Sequence, residues 1–433
     1  MKWNMLLTLA TVAVFGAVDV VQAENWGQWR GPRFDGSSTE KNLPTEFGVD
    51  QNVAWKFPLP GPSAGTPVVW DDRVFVSSAD LENETLKAYC LDRKSGQLLW
   101  ERTIGQGIAH DTRSNYAAPS PATDGETVIF FYGNGQMLAF DFDGKELWSK
   151  NVGPFAFQWT FSTSPVLYDG KLYLQVLQRD TPVNGRGGKE NPSYLLALEP
   201  KTGDELWRVL RPSKAQAESL EAFNTPMPYE YNGRKQILIA GGDALTGHNP
   251  ETGEELWRWG TWNPQRIGHW RLVPSPIAGD GVVLACAPKK EPIFALPVDK
   301  SGLLNDDAIL WDSEGERPIS SDVPTPAFYD GDFFVLSDVS KSLSRVEART
   351  GKVKWTVDTP GRAKYEASPL AGDGKIYALN FDGEAAVFDA GTGKLLQVNA
   401  LDKPTQGSVR SSIIASQEQL FIRTTTMLYC IGK

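Results

Sequence analysis

Cysteine and histidine are scarce in this chain of 433 residues, which holds three of each. The cysteines, Cys90, Cys286 and Cys430, are too few for a disulfide framework and too far apart for a C-x-x-C metal site or a C-x-x-C-H haem attachment. We expect them to be buried as small hydrophobic side chains. The chain therefore has few of the cysteine and histidine side chains that form zinc sites and thiol centres.

Motifs of phosphate-binding and hydrolytic sites are also missing. The sequence contains no glycine-rich phosphate loop, no G-x-S-x-G and no H-E-x-x-H. No long stretch shows the apolar spacing of a helix. The formal net charge of -10, from 43 basic and 53 acidic residues, argues against nucleic acid as a partner.

Long apolar runs are confined to the N-terminus. Residues 1–23 have the form of an export signal, with Lys2 at the positive end, an apolar stretch from Leu6 to Val18 and a small-residue cleavage site at 21–23. An uncleaved membrane anchor is the alternative, although the apolar stretch is short for a span. We expect an exported protein of the periplasm or cell envelope that is soluble after signal cleavage.

Glycine, proline and tryptophan, by contrast, are abundant. The 41 Gly, 29 Pro and 15 Trp are typical of many short strands joined by tight turns. Residues 197–207, A-L-E-P-K-T-G-D-E-L-W, give the clearest copy of a unit in which a glycine precedes a tryptophan by four residues. The same offset occurs in the copies that end at Trp100, Trp148, Trp207, Trp257 and Trp355. This recurrence predicts a repeat architecture.

A second recurring marker is a Ser or Thr followed by Pro and a short apolar strand. It occurs at Thr66, Ser120, Ser164, Thr225, Ser275, Thr325 and Ser368, with a proline-less version at Ser411-Ser412. An Asp-Gly pair follows most copies and predicts a tight hairpin. Two further strands, the second of which carries the tryptophan, complete each unit. Four antiparallel strands per unit are the content of a β-propeller blade.

The markers predict an all-β fold, an eight-bladed β-propeller. The last unit ends at Lys433 after its third strand, whereas Asn52 to Leu59 forms a strand that has no unit of its own. We predict that this N-terminal strand completes the last blade and closes the ring, because closure removes an exposed sheet edge. The predicted organisation is a signal peptide at 1–23, an extended lead-in at 24–51 and the propeller at 52–433.

The repeated tryptophans are predicted to be structural. They would lie at equivalent outer positions and pack between neighbouring blades; the set is Trp55, Trp100, Trp148, Trp207, Trp257, Trp311 and Trp355. Gln397 stands where the seventh unit would have its tryptophan. We therefore predict a weaker contact between blades at that junction.

The repeat A-x-D-x-x-T-G-x-x-x-W resembles the tryptophan-docking motif of the quinoprotein alcohol dehydrogenase-like superfamily, whose propellers have eight blades. The resemblance covers residues 52–433. This superfamily includes dehydrogenases that use pyrroloquinoline quinone (PQQ) and calcium, and also non-enzymatic BamB-like proteins. Residues 26–36, W-G-Q-W-R-G-P-R-F-D-G, further resemble the start of PQQ-like repeat proteins of planctomycetes.

The resemblance implies PQQ and calcium as possible cofactors, but the sequence departs from the enzymes. They hold PQQ between a tryptophan and a disulfide of adjacent cysteines, and this chain has no adjacent cysteine pair. The lipid-anchored cysteine of the lipoprotein relatives is absent too. A zinc site from His110 and His269 would need further ligands, and residues 141–144, D-F-D-G, fit a hairpin turn better than a calcium loop. We predict no metal site and assign no catalytic residue.

Ligand-binding residues are expected in the loops that precede the Ser/Thr markers, because those loops gather around the channel on one face. The eight residues before each marker hold seven basic and four acidic residues in all, the reverse of the whole chain. The candidates are His110, Arg113, Asn115, Trp159, His269, Trp270, Arg271, Lys364 and Arg410. Their side chains can stack on or hydrogen-bond a planar or anionic ligand. The alternative is that they bind neighbouring blades or form a solvated rim.

Taken together, these features predict an exported, monomeric binding scaffold with no evident catalytic set. Its partner would be an envelope protein or a small anionic or planar ligand, bound on the loops around the channel. The alternative is a PQQ-dependent quinoprotein dehydrogenase with a diverged site. Fold alone does not decide between a scaffold and an enzyme.

Overall fold

The computed structural model describes residues 24–109, 111 and 113–432. The predicted signal at 1–23 lies outside these residues, as does the candidate His110. Eight sheets of at least four strands make up the described chain, together with two short 3-10 helices, Ala217–Leu220 and Asp306–Ala308. The predicted all-β, eight-bladed propeller is confirmed.

The first four blades follow one another along the chain, and in each the strands pair antiparallel in sequence order. Blade 1 consists of Val68–Trp70, Arg73–Asp80, Thr85–Asp92 and Leu98–Gln106. Blade 2 consists of Ala122–Thr123, Thr127–Phe131, Gln136–Asp141 and Glu146–Asn151. Blade 3 consists of Val166–Tyr168, Lys171–Val176, Tyr194–Leu198 and Glu205–Leu210. Blade 4 consists of Met227–Tyr231, Arg234–Gly241, Ala244–His248 and Glu255–Trp259.

The remaining blades repeat the pattern, with two additions. Blade 5 consists of Ile277–Gly279, Val282–Cys286, Ile293–Pro297 and Trp311–Asp312. Blade 6 consists of Ala327–Tyr329, Asp332–Ser337, Ser342–Glu347 and Val353–Asp358, and blade 7 of Leu370–Gly372, Lys375–Leu379, Glu384–Asp389 and Leu395–Ala400. Gly302–Leu304 adds to the outer edge of blade 4, and Ser37–Ser38 adds to the first strand of blade 7, both in parallel.

The eighth blade joins both ends of the chain, as predicted. Its strands are Ile414–Ser416, Gln419–Arg423, Met427–Ile431 and the N-terminal Val53–Pro58. Trp55 lies opposite Cys430, and the N–H of Leu59 donates to the carbonyl of Thr426 over 2.8 Å. Because the N-terminal strand supplies the missing fourth position, the ring has no gap between its first and last blades.

The Ser/Thr markers form a closed ring of hydrogen bonds. In each blade the backbone N–H of the marker donates to the side-chain hydroxyl of the next marker, over 2.9 to 3.3 Å. The donor order is Thr66, Ser120, Ser164, Thr225, Ser275, Thr325, Ser368, Ser412 and back to Thr66. Ser412, rather than Ser411, is the eighth marker. A Ser or Thr recurs at this position because its hydroxyl accepts one buried hydrogen bond at each junction between blades.

Six of the seven repeated tryptophans bond to the next blade through the indole N–H. The indole N–H of Trp148, for example, donates to the carbonyl of Pro200 over 2.7 Å. Trp55, Trp100, Trp207, Trp311 and Trp355 make the equivalent bond. Trp257 differs from the other six, because its indole N–H donates to Gln236 of its own blade. Blade 5 has an insertion where the other blades have the receiving turn, so Trp257 has no such turn to dock on.

The lead-in lies across the central channel. Its backbone bonds to Val69, Thr123, Phe328 and Ala371, each three residues after a marker, and the side chain of Gln28 accepts from the N–H of Leu167 at the same level. The lead-in therefore forms a layer beneath the Ser/Thr ring, on the side of the hairpin turns.

Arg30 anchors this layer. The residue is 5% exposed, and its guanidinium donates to the carbonyls of Pro369 and Pro326 over 2.8 and 2.7 Å. Burial lowers the pKa of Arg30 to about 10, so the side chain keeps its charge at neutral pH. Five donors on one planar group let Arg30 tie two blades to the lead-in without a carboxylate partner.

A later part of the lead-in covers the junction at which blade 7 has Gln397. Leu43 and Phe47 are buried at 3% exposure and join the core cluster of blades 7 and 8. The N–H of Phe47 donates to the side chain of Asn399 over 2.9 Å. These apolar side chains fill space near a junction that lacks the docking tryptophan.

No helix of the described chain has the length and apolar character that crossing a membrane requires.

Candidate binding face

The propeller has two unlike faces. We call the loop face the one that carries the connections from each fourth strand to the next first strand and from each second strand to the third. The opposite hairpin face carries the tight turns, and residues 24–38 close the channel beneath it. The segments that precede the Ser/Thr markers therefore meet around the open mouth of the channel. The mouth is the end of the channel opposite the lead-in.

Arg271 is one of the candidate residues at the mouth, and it is held in an ion pair. Its guanidinium donates to both carboxylate oxygens of Asp322, over 2.9 and 3.2 Å. The N–H of Lys289 adds a further bond to Asp322. Burial alone would raise the pKa of Asp322, but the Arg271 hydrogen bonds and charge outweigh it and hold that pKa below its usual value. The pair links blades 4, 5 and 6.

Asp338 lies next to this pair and differs from it. The residue is 3% exposed, and its carboxylate accepts the N–H of Asp322 over 3.0 Å. Burial, reinforced by the charges of Asp322 and Glu366, raises the pKa of Asp338 to about 6. The hydrogen bond from the Asp322 N–H and the charge of Lys364 lower the pKa of Asp338 but do not cancel this shift. Asp338 is thus a buried carboxylate that titrates close to neutral pH.

Arg410, another candidate, is paired with Glu366. One guanidinium nitrogen of Arg410 donates to the buried Glu366 carboxylate, and its carbon lies 4.5 Å from the ring centre of Phe381. The candidate Lys364 reaches the same carboxylate, with its ammonium 3.9 Å away. The contact joins blades 7 and 8 through a charge pair and a cation-π contact.

Arg113 and Asn115 meet Arg410 at a small cavity of about 80 Å³ between blades 8 and 1 and the loop that enters blade 2. Asn115 is buried and bonds to the carbonyl of Pro62 and the N–H of Ala117, so it shapes its loop. Arg113 is exposed at the rim. The structure therefore brings three of the predicted residues together, and among them Arg113 is the cation most open to solvent.

Trp159 and Trp270 lie elsewhere on the loop face. Trp159 lines a cavity of about 240 Å³ with Phe155, Phe157 and Phe161. Trp270 lines a different cavity of about 480 Å³ between blades 4 and 5, and the neighbouring His269 is exposed. The predicted residues thus divide among the axial mouth and two peripheral cavities.

Sequence reasoning missed the residues that reach the mouth from the connections between second and third strands. Arg179 pairs with Glu221, which is fully buried and also accepts the N–H of Gln158. Burial outweighs the charge of Arg179 and raises the pKa of Glu221 to about 7. Asp338 comes from the same kind of connection. A scan of the residues after each second strand, alongside the loops before the markers, would have found both.

The PQQ and calcium site implied by the resemblance does not fit these residues. Cys90, Cys286 and Cys430 are buried in three different blades, and none of them is paired with another. Among the described residues no group of three or more His, Cys, Asp or Glu side chains could hold a metal ion. Glu366, Asp322 and Glu221 are each bound to an arginine. The disulfide of adjacent cysteines that the resemblance implies beside PQQ therefore has no counterpart among these cysteines.

Comparisons with known proteins agree with this fold. Residues 48–173, 83–302 and 298–429 match the family model described as outer membrane protein assembly factor BamB. The chain is 23% identical to the polyvinylalcohol dehydrogenase of Sphingopyxis sp. (strain 113P3) over an alignment of 453 residues, gaps included. The alignment covers 88% of this chain and 67% of that protein.

Two solved structures show the same architecture. A europium-containing methanol dehydrogenase superposes with a TM-score of 0.71 at 13% identity and covers 95% of this chain and 98% of its own. BamB from Moraxella catarrhalis superposes with a TM-score of 0.59 at 11% identity and covers 88% of this chain and 99% of its own. At these identities the likeness supports the fold, which dehydrogenases and BamB share.

Proposed function

The chain belongs to the family of the outer membrane protein assembly factor BamB, and from this premise we propose that it is an exported binding scaffold of the cell envelope. It binds an envelope protein through the loop face and carries out no reaction of its own. The proposal combines the family, the geometry of the mouth and the export signal predicted from residues 1–23. The chain is also similar to dehydrogenases, so a PQQ-dependent dehydrogenase is the alternative function.

The observation that carries the proposal is the state of the carboxylates at the mouth. Glu366, Asp322 and Glu221 are each held by an arginine from a neighbouring segment. A carboxylate fixed by a guanidinium is neither a free general base nor an open metal ligand. Such pairs instead set the loops in one arrangement, and a prearranged surface reduces the entropy lost when a partner binds.

Charge reversal at the exposed rim tests the proposal. Arg113→Glu should weaken capture of the partner in a pull-down from the native envelope, because rim charges steer association. The matched control is Lys201→Glu, which changes an exposed residue in a turn of the hairpin face. A photoreactive side chain at each position would map the contact. Equal capture and equal crosslinking at both positions would remove the loop face from the proposal.

A dehydrogenase remains the second candidate, and Asp338 is the observation that favours it. A buried carboxylate whose pKa is raised to about 6 has the protonation behaviour expected of a general base. The test is titration of the protein with PQQ and calcium, followed by dye reduction with alcohols and sugars as substrates. Saturable PQQ binding together with activity that Asp338→Asn abolishes would replace the scaffold proposal. Absence of binding at tens of micromolar would end the dehydrogenase alternative.

A further inference from the structure

The cavity of about 480 Å³ that contains Trp270 lies away from the axial mouth, at the periphery of the loop face between blades 4 and 5. We call it the aromatic groove and define it by Trp259, Trp262, Trp270 and Phe294. The connection between the third and fourth strands of blade 5 forms one side. This connection includes Gly302–Leu304, which pairs with the outer strand of blade 4, and the 3-10 helix Asp306–Ala308. The insertion that removed the turn for Trp257 therefore also builds this groove.

The aromatic side chains of the groove are packed and oriented. Trp259 is 1% exposed, and its ring centre lies 6.1 Å from that of Trp262 and 5.2 Å from that of Phe294. The indole N–H of Trp259 donates to Asp306 over 3.0 Å, which fixes the ring. Trp270 is half-buried and forms another part of the wall. Preformed walls of this kind are typical of small-ligand sites.

One polar group in the wall has no hydrogen-bond partner in the part of the chain that the structure describes. Trp262 is 5% exposed, and its indole N–H is buried without a hydrogen-bond acceptor among the described residues. A buried donor normally finds a partner, because an unpaired one destabilises the folded protein. This N–H is a donor, so it could bind a hydroxyl oxygen of a ligand but takes no part in the recognition of a cation.

The charge of the groove has one sign. Glu291, Asp306 and Glu314 line it, whereas none of the described lining residues is Lys, Arg or His. This composition is the opposite of the axial mouth, where each of three carboxylates has an arginine. Aromatic faces are also negative, so they and the carboxylates attract the same kind of ligand.

We propose that the aromatic groove binds a small organic cation, specifically a quaternary ammonium group. The rings of Trp270 and Phe294, which are only half-buried, would meet the methyl groups around the charged nitrogen, and the carboxylates would neutralise the charge. A neutral sugar would stack on the same rings but would leave three acidic side chains uncompensated. The site goes beyond the proposed scaffold role, and it can fail while the axial mouth still binds its protein partner.

Calorimetric titration with choline tests the proposal. Its neutral isostere, 3,3-dimethylbutan-1-ol, has the same shape without the charge and is the matched ligand control. We expect saturable choline binding and affinity at least about tenfold weaker for the neutral alcohol. Potassium chloride at the same concentration is included in each titration, because a nonspecific attraction of cations to the carboxylates would be lost against it.

Variants separate the groove from the rest of the surface. Trp270→Ala should weaken choline binding about tenfold, and Glu291→Gln several-fold, because one removes an aromatic wall and the other a charge. Trp159→Ala, in the other aromatic cavity, is the control and should leave the affinity unchanged. Glu291→Gln retains the shape of the side chain, so it still tests the groove if the Trp270→Ala variant does not fold. Equal affinity for choline and the alcohol, unchanged affinity in both groove variants, or no binding of choline would each overturn the proposal.

Discussion

The glycine of each T-G turn lies directly beneath the tryptophan of the preceding blade. A Cβ atom added at Gly203 would stand 2.7 Å from the ring of Trp148, too close for two carbon atoms. The glycine also has a φ of +73°, which other residues adopt at a cost. The G-x-x-x-W spacing therefore combines two requirements, a turn within one blade and a flat surface for the neighbouring blade.

Gly203→Ala should destabilise the protein more than the same change at Gly170. Both glycines have a φ of +73°, but a Cβ at Gly170 would meet nothing within 4 Å. The left-handed backbone costs alanine about 1 to 2 kcal/mol at either position, whereas displacement of the Trp148 ring adds about 1 to 3 kcal/mol at Gly203 alone. Urea denaturation of the two variants measures the difference. Equal losses would mean that the indole does not rest on the turn.

The stability of the protein should depend on pH through Asp338. Its folded pKa of about 6 lies above the usual value of an aspartate, so the folded state binds its proton more tightly than the unfolded state. Ionisation therefore disfavours folding, and the free energy of unfolding should fall as pH rises from about 4 to about 6. Asp338→Asn removes this dependence and retains an acceptor for the Asp322 N–H.

We expect Asp338→Asn to be more stable than the parent by about 2 to 3 kcal/mol at pH 7 and nearly equal to it at pH 3.5. Denaturant unfolding at several pH values measures both. Glu221, whose pKa is raised to about 7, adds a similar slope that the variant retains. A variant that gains nothing between pH 4 and 6 would show that Asp338 is ionised at no cost in the folded protein.

At the scale of the strand and its marker, the Ser/Thr ring explains why a proline-less serine pair still begins a blade. Ser412 aligns with the other markers and accepts the N–H of Ser368 over 3.2 Å. The hydroxyl of Ser411 is also buried, but it has no partner among the described residues. The two adjacent serines therefore differ in the one bond that the repeat requires.

Ser412→Ala should destabilise the protein by about 1 to 3 kcal/mol, because it leaves the Ser368 N–H buried without an acceptor. Ser411→Ala should change the free energy of unfolding by less than about 0.5 kcal/mol, since no bond is lost. Thermal and urea unfolding of the two variants provide the comparison. The reverse order of effects would place the marker at Ser411 and break the ring at its last junction.

The elements that sequence patterns predicted are those specified by local repeats. Hairpin turns, docking tryptophans and the strand order of each blade follow from spacings of a few residues. The sequence did not indicate that the Trp257 N–H bonds within its own blade, because residues 298–310 replace the short turn of blade 5 and no residue near Trp257 signals that replacement. The ion pairs at the mouth could not be predicted from the sequence either, since Arg271 and Asp322 are distant in sequence and meet only in the folded ring.

At the scale of the whole molecule, the chain closes on itself twice. Val53–Pro58 completes blade 8, and residues 24–38 cross the channel and bond to the first strands of blades on several sides. The sequence predicted the first closure from a missing strand. It did not predict the second, because the lead-in has no repeat, and its contacts are mostly with carbonyl and N–H groups that any sequence presents.

Two truncations separate the contributions of these closures. Deletion of residues 24–51 removes Arg30 and the buried Trp26, Leu43 and Phe47 but retains the closing strand. We expect this form to remain monomeric and to melt at a lower temperature, because the loss of several large buried side chains costs several kcal/mol. Deletion of 24–60 should have a larger effect. It leaves three strands in blade 8 and uncovers apolar side chains around Phe421, which packs against Trp55 at a ring distance of 6.0 Å.

The larger deletion should aggregate, because it exposes two sheet edges that can pair with other chains. A ring, unlike an open repeat array, has no terminal unit to cap such a gap. Size-exclusion chromatography and thermal unfolding of both truncations measure the two effects, and the Trp55→Ala variant, expected to lose about 3 to 5 kcal/mol, calibrates them. If the form lacking 24–60 stayed monomeric and melted no lower than the form lacking 24–51, closure would not depend on Val53–Pro58. In that case neither the lead-in nor the shared blade would be required for closure, and direct contacts between blades 8 and 1, such as the bond from the Ser412 N–H to the Thr66 hydroxyl, would hold the ring together.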